Sequence, residues 1–577
     1  MPYLEPPRPD PKGNPLVEHV KDQYVTGKMS RREFMRYATL LGMSVSAAST
    51  FLAACGGEEE AGGPAVTATG EADLSGAKRG GSYRIGSSLI EVDHPARLSW
   101  VQTSNVLRQV NEYLTITDPE NITHPYLLEK WETNEDATVW TLTLRQGIMF
   151  TNGQEFDSDD VIFNFQQWFS EEVGSSVLGL LGPFLDLNGV EKVDKYTVVL
   201  NLKTPTIAIP EFLYHYPAQI LHKSYEIPDI KAGESLVGAT VGTGPFILKE
   251  LSFGERARVE RNPDYWQKAP DGQPLPFLDA ITWSDLGTES APYVNAIESG
   301  QVDSIYGPGP EDFQQLKDSP DLKIDRSRTI QCAIIRMRTD MEPFTDKNVR
   351  TAFKLLVDRE EMANAAYFGA VDLGHDAHFG PANPDYVEKP IPPQDIEAAK
   401  QLLADSPTWQ EWGGKTIKMT IKNDTFYEPV MAETYQRQAK AAGVEIELDV
   451  RPASEYWPKW NHYHFGLTEW THRPLNTMLN LLAYTKEALP PDEQSGNWNE
   501  TRWVNDEFLS LLAQANATPD LEERLPLISQ MEEIQADDGG TGLPFFRNVF
   551  AANHNKIKNV PAHPTDYLQV SEAWIEA

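Results

Sequence analysis

Val241-Gly-Thr-Gly-Pro-Phe246 and, a little further along, Glu260-Arg-Asn-Pro-Asp-Tyr-Trp266 are the segments on which the fold of this chain is read. Gly242-Thr-Gly-Pro is a tight turn that asks for permissive backbone angles. Asn262-Pro-Asp264 is a second turn, and Tyr265 and Trp266 behind it are large enough to close over a core. Both segments are scaffold, and neither is read as a binding element.

Outward from these turns, strands and helices alternate along the chain. Tyr83 to Leu89, Thr138 to Leu144 and Lys195 to Leu202 read as strands, the second with clear alternation before the turns at Gly147 and Gly153. Asp157-Ser-Asp-Asp160 is an N-cap cluster opening an amphipathic helix over Val161 to Trp168. Further helices are read at Asp346 to Val357, Asp395 to Leu403, Pro429 to Ala442, Leu509 to Ala515 and Glu522 to Gln535. Lys415 to Lys422 and Val444 to Val450 are strands, and Ile330 to Ile335 is a strand that buries Cys332. No internal repeat is found. This mixture predicts α/β or α+β lobes with mixed sheets.

The chain has 577 residues, 40% of them hydrophobic, which is too long for one compact lobe and predicts two or three. Acidic residues outnumber basic ones 85 to 50, for a formal net charge of −35. Lys and Arg must replace the counterions of phosphates, so such a chain is a poor nucleic-acid binder. Beyond the N-terminus no apolar run reaches the roughly 18 to 20 residues of a spanning helix.

The N-terminus reads as an address. Ser30-Arg31-Arg32-Glu-Phe-Met-Arg36 precedes an apolar run from Tyr37 to Leu52, which ends in Leu52-Ala-Ala-Cys55-Gly56. The paired Arg31 and Arg32 resemble a twin-arginine export signal, and Leu-Ala-Ala-Cys resembles a lipoprotein processing site. Cys55 would then carry lipid, become the first mature residue and anchor the protein to a membrane. Loss of residues 1–54, with five acids and seven bases, leaves a charge of −37. Cys332 is then alone, so no intramolecular disulfide is expected. Residues 55–78 read as a flexible tether.

Several segments together resemble the bacterial extracellular solute-binding proteins of family 5, the peptide, oligopeptide and nickel receptors of ATP-binding-cassette (ABC) importers. They are Phe150-Thr-Asn-Gly-Gln-Glu-Phe-Asp-Ser-Asp-Asp-Val161, Val241 to Phe246 with Glu260 to Trp266, Ala296-Ile-Glu-Ser-Gly-Gln-Val-Asp303, Pro343-Phe-Thr-Asp-Lys-Asn-Val-Arg350 and Asp358-Arg-Glu360. The resemblance spans about residues 80 to 570. It implies an α/β, periplasmic-binding-protein-like two-lobe fold that closes like a Venus flytrap. The first lobe would be 79–330 plus 545–577, with an inserted subdomain at about 105–240, and the second lobe 331–544. Cys332 to Arg338 and Leu543 to Phe550 would form the hinge strands. It also implies a monomeric receptor, at the cell surface or in the periplasm, that hands a peptide or peptide-like solute to a permease. An oligosaccharide is the main rival ligand.

In peptide-binding relatives a second-lobe loop carries an aspartate for the ligand's ammonium. The corresponding stretch here, Phe465 to Leu475, lacks it and offers His472 and Arg473 instead. A cation there repels an ammonium and suits a carboxylate. Aromatic candidates for the cleft are Tyr456, Trp460, Trp470, Trp100 and Tyr427, since Trp and Tyr bury large area with few rotors. His375 with His378, and His462 with His464, are two isolated pairs in expected loops, short of the three or four ligands zinc takes, so no metal and no cofactor are expected. Neither Gly-x-Ser-x-Gly nor His-Glu-x-x-His occurs, which lowers the rival reading of a secreted hydrolase.

Overall fold

The computed structural model describes residues 74, 76–228, 235–490 and 497–576. Arg31, Arg32 and Cys55, with the export and lipid readings attached to them, lie outside the described residues. β1 (Ser82–Gly86) buries Tyr83 and Ile85. After α1 (Val101–Leu107) the chain builds a separate layer. β2 (Thr115–Thr117) and β3 (Thr123–Pro125) form a ladder of their own. β4 (Leu128–Thr133), β5 (Val139–Leu144), β6 (Val190–Asp194) and β7 (Thr197–Asn201) form an antiparallel sheet in the order β4-β5-β7-β6. Trp140, Leu142 and Leu144 alternate inward along β5, as read from the sequence, and each buried side chain contributes on the order of 2 kcal/mol.

They pack in one apolar cluster with Val161, Phe165 and Trp168 of α2 (Ser158–Phe169). That helix starts where the acidic cluster predicts. Asp157 accepts the N–H of Asp159 at 2.9 Å, and Asp160 reaches back to accept the N–H of Asp157 at 3.0 Å. The short α3 (Ile209–Phe212) belongs to the same layer.

β8 (Phe246–Ser252), β9 (Arg256–Arg261), β10 (Ala280–Ser284) and β11 (Ser304–Ile305) return to β1 in the order β11-β1-β10-β9-β8. The opening turn corrects the expectation made for it. Neither Gly242 nor Gly244 has positive φ. A Cβ on Gly242 would instead lie 1.9 Å from the carbonyl oxygen of Val110, so the glycines serve close backbone approach. Tyr265 and Trp266 do close over the interior. They donate to the two oxygens of buried Glu112, at 2.7 and 2.9 Å.

The 16-residue β12 (Leu322–Met337) is the spine of the molecule. β13 (Val371–Leu373) follows α4 (Arg359–Tyr367). β14 (Ile417–Lys422), α5 (Tyr427–Lys440), β15 (Ile446–Arg451), β16 (Phe465–Trp470) and α6 (Asn476–Ala483) come next, and β17 (Thr541–Gly542) and β18 (Phe545–His554) close the sheet. Its full order is β15-β14-β16-β12-β18-β11-β1-β10-β9-β8. Leu322 to Ser327 of β12 pair with the end of β18 that also meets β11, whereas Cys332 to Met337 pair with β16. Between them the register slips: Ser327 faces Val549 but Gln331 faces Arg547. This is a two-lobe α/β fold with mixed sheets, and β12 and β18 are the strands common to both halves.

His375 and His378 lie in a loop, as expected, and are buried, and His378 sits 3.2 Å from the free thiol of Cys332. Among the described residues no three His, Cys, Asp or Glu gather as a metal site. No described helix is long and apolar enough to cross a membrane.

Candidate functional site

β14 and β15 are parallel, and so are β14 and β16. In open α/β sheets ligands bind in the crevice beyond the carboxyl ends of such strands. Those ends are Lys422, Arg451 and Trp470, and the loops that follow carry most of the residues singled out in the sequence.

Beyond β16, His472 is buried and held as a neutral imidazole. The Ile330 N–H, at the register slip in β12, donates to its Nδ1 at 3.1 Å, which leaves Nε2–H to donate to Asn121 Oδ1 at 2.9 Å. Burial, with His563 and Arg473 nearby, drives its pKa well below the usual value. Asn121 sits at the β2–β3 turn with φ of 65°, a left-handed position that asparagine tolerates. Its amide donates to Asn383 Oδ1 at 2.7 Å and to the Pro474 carbonyl at 3.1 Å, so this turn is bonded to two loops far along the chain.

Arg473 follows His472 in the same loop. Its Nη1 donates to Thr471 Oγ1 and to the His472 carbonyl, both at 2.8 Å. Burial lowers its pKa, and no carboxylate pairs with it among the described residues. It lines a cavity of about 40 Å³ together with Asn121, Glu211, Tyr214, His215 and Met478. His472, His563 and Tyr567 also line it, the last two from the C-terminal tail. Tyr214 and Tyr567 are backed by the Arg108 guanidinium, which lies 3.8 Å from the Tyr567 ring centroid. Burial pushes His215 down to about 3 and His563 to about 4, so the imidazoles stay neutral and Arg473 is the cation of the cavity. A space of this size takes one or a few waters. A larger solute requires the walls to part.

The aromatic candidates are placed differently. Tyr456 is wholly buried and spends its hydroxyl on the Leu467 carbonyl and Thr468 Oγ1. Trp470 is 6% exposed, and its Nε1–H donates to Glu500 Oε1 at 2.8 Å. Glu500 in turn pairs with buried Arg336 at 2.8 Å, and Arg336 donates to Thr468 Oγ1 and to the Trp460 carbonyl. Tyr456, Trp460 and Trp470 therefore belong to the support of the β16 end and do not line the cavity. Tyr427 is the first residue of α5 and lies buried with the Arg547 guanidinium 4.4 Å from its ring centroid. Trp100 caps α1 and is 56% exposed, away from the cavity wall.

On the other face of β16, Glu469 joins three elements. It accepts from Arg547 of β18 at 2.6 Å and from Lys422 of β14 at 3.2 Å. Lys422 also meets Glu428 of α5 at 3.0 Å. Burial opposes ionisation of Glu469, but Arg547 and Lys422 overcome it and hold the carboxyl down to about 2.

Of the residues singled out in the sequence, His472 and Arg473 line this cavity, whereas Asn121, Glu211, His215, His563 and Tyr567 line it without having been singled out. Only Glu211 leaves a trace, as an acid inside the apolar run Thr206-Ile-Ala-Ile-Pro-Glu-Phe-Leu-Tyr214.

A two-lobe sheet with an enclosed space at the carboxyl ends of its parallel strands is the architecture of an extracytoplasmic solute receptor. The chain belongs to the bacterial extracellular solute-binding proteins, family 5, whose model matches residues 123–488. It is 23% identical to the dipeptide-binding protein DppE of Bacillus subtilis over 82% of this chain and 88% of that one. It is 26% identical to heme-binding protein A of Haemophilus influenzae over 77% of this chain and 82% of the relative. Among solved structures, HbpA2 of Haemophilus parasuis aligns with a TM-score of 0.74 at 21% identity, covering 86% of this chain and all of that one, a likeness of fold.

Proposed function

We propose that this protein is the receptor of an ABC importer, that it captures a peptide or peptide-like solute between its lobes, and that Arg473 holds an anionic group of that solute. The observation that carries the reading is the Arg473 guanidinium, without a carboxylate partner among the described residues, in a mostly enclosed space where an unpaired charge is costly. A ligand carboxylate would answer it with charge-assisted, bidentate hydrogen bonds. The names of the relatives, among them dipeptide-, oligopeptide-, heme- and nickel-binding proteins, support solute capture without chemical change and leave the solute class open. Delivery to a permease, a lipid anchor at Cys55 and action as a monomer are parts of the same proposal. An oligosaccharide is a second reading, favoured by Trp457, which is 38% exposed with the Lys422 ammonium 5.6 Å from its ring centroid.

Native mass spectrometry of the protein purified from its own host tests this. The expected spectrum shows a non-covalent adduct of peptide mass that bears a carboxylate. An adduct with a sugar mass ladder would replace the peptide reading with the second one.

A further inference from the structure

Two side chains of opposite sign line the interlobe cavity, and neither forms an ion pair among the described residues. Arg473 comes from the loop after β16 in the second lobe, and Glu211 from α3 in the first. The Oε2 of Glu211 is buried and accepts no hydrogen bond. Burial pushes the carboxyl up to about 7, with Arg524 opposing the rise and Asp385 adding to it. A buried carboxylate with an idle oxygen costs stability, and a fold keeps one where something else satisfies it.

We propose that Glu211 is the cation-binding residue of the cavity and acts with Arg473 as a pair of opposite poles, so that the solute is a zwitterion whose ammonium faces the first lobe and whose carboxylate faces the second. This rests on the reading of the cavity as the solute site and goes further by fixing the charges of the solute and their direction. The arrangement reverses the polarity expected from peptide-binding relatives, where the acid stands in the second-lobe loop that here carries Arg473.

Placing one pole on each lobe makes closure selective. With the lobes apart, water solvates both groups. Closure desolvates both, and only a solute that pairs with each of them offsets the cost. A solute with a single charge leaves the other pole buried and unpaired, and a neutral one leaves two. A carboxyl near 7 in the empty cavity is also easily ionised by an arriving ammonium.

The test is a competition monitored by native mass spectrometry. The full chain is offered an equimolar synthetic pool of di- to pentapeptides lacking Lys and Arg, the same pool N-acetylated, and the same pool as C-terminal methyl esters. The wild type is expected to prefer the free pool over each blocked pool by about tenfold or more. Glu211→Gln should lose the preference over the acetylated pool and keep that over the esters; Arg473→Gln should do the reverse. Glu211→Ala, followed by its melting temperature, separates packing from recognition: a drop in stability with the preference over the acetylated pool intact overturns the proposal. So does a Glu211→Gln protein that still rejects acetylated peptides, and in both cases peptide capture itself stands. Capture of none of the three pools by the wild type overturns the peptide reading and this inference together.

Discussion

Glu469 shows how one carboxylate couples three elements, and its protonation gives the coupling a pH signature. In the folded chain Arg547 and Lys422, working against burial, keep its pKa near 2, below the roughly 4.3 of an unfolded glutamate. A depressed carboxylate contributes stability that is fully present above the unfolded value and is lost as pH falls through the folded one. The difference corresponds to roughly 3 kcal/mol at neutral pH. Glu469→Gln should therefore be destabilised most at pH 7, with the gap to wild type shrinking to about half by pH 3 in denaturant titrations. A gap of equal size at both pH values would mean that the ion pairs contribute nothing net. Residues of this kind were not legible in the sequence. Glu469 is one acid among 85, and its partners lie 47 and 78 positions away.

At the level of elements, local pattern did most of the work. The alternation of Thr138 to Leu144, the acids before Val161 and the Lys415 to Lys422 run each became the expected strand or helix within a few residues. The limit came where a strand is buried on both faces. β12 reads as a strand only from Ile330 to Ile335, because Cys332 to Met337 are all buried and carry no period, while its first half alternates weakly. Nor does sequence distinguish glycines that turn from glycines that make room. Gly242→Ala would drive a methyl group into the Val110 carbonyl and should cost on the order of 3 kcal/mol. Gly179→Ala, inside the helix Val177–Leu181 with open space around it, should instead gain up to about 1 kcal/mol. Thermal melts of the two variants should move in opposite directions; two shifts of the same sign would refute the close-approach account of the turn at Gly242.

For the whole molecule, two residues of the candidate site could be read from the chain and the others could not. His472 and Arg473 stand in a loop that the family resemblance locates. Glu211, Asn121 and the tail residues His563 and Tyr567 arrive from segments far apart in sequence, through pairing that only the complete sheet specifies. The excess of acid over base excluded nucleic-acid partners but said nothing of a single unpaired guanidinium in the cleft. The lobe limits proposed here, 79–330 with 545–577 and 331–544, fall at or close to the register slip between β12 and β18, which is where two bodies sharing those strands would bend.

That bending is the central claim, and an electron–electron distance measurement reads it directly. Val193 in the first lobe, 60% exposed, and Glu397 in the second, with its side chain 83% exposed, are suitable sites for spin labels. Cys55→Ser removes one competing thiol, and the other, Cys332, is buried. On adding back the solute recovered from the host, the distance distribution between V193C and E397C should shift and narrow to a single closed population. One unchanged distribution, with the solute demonstrably bound, would contradict a receptor that works by closing.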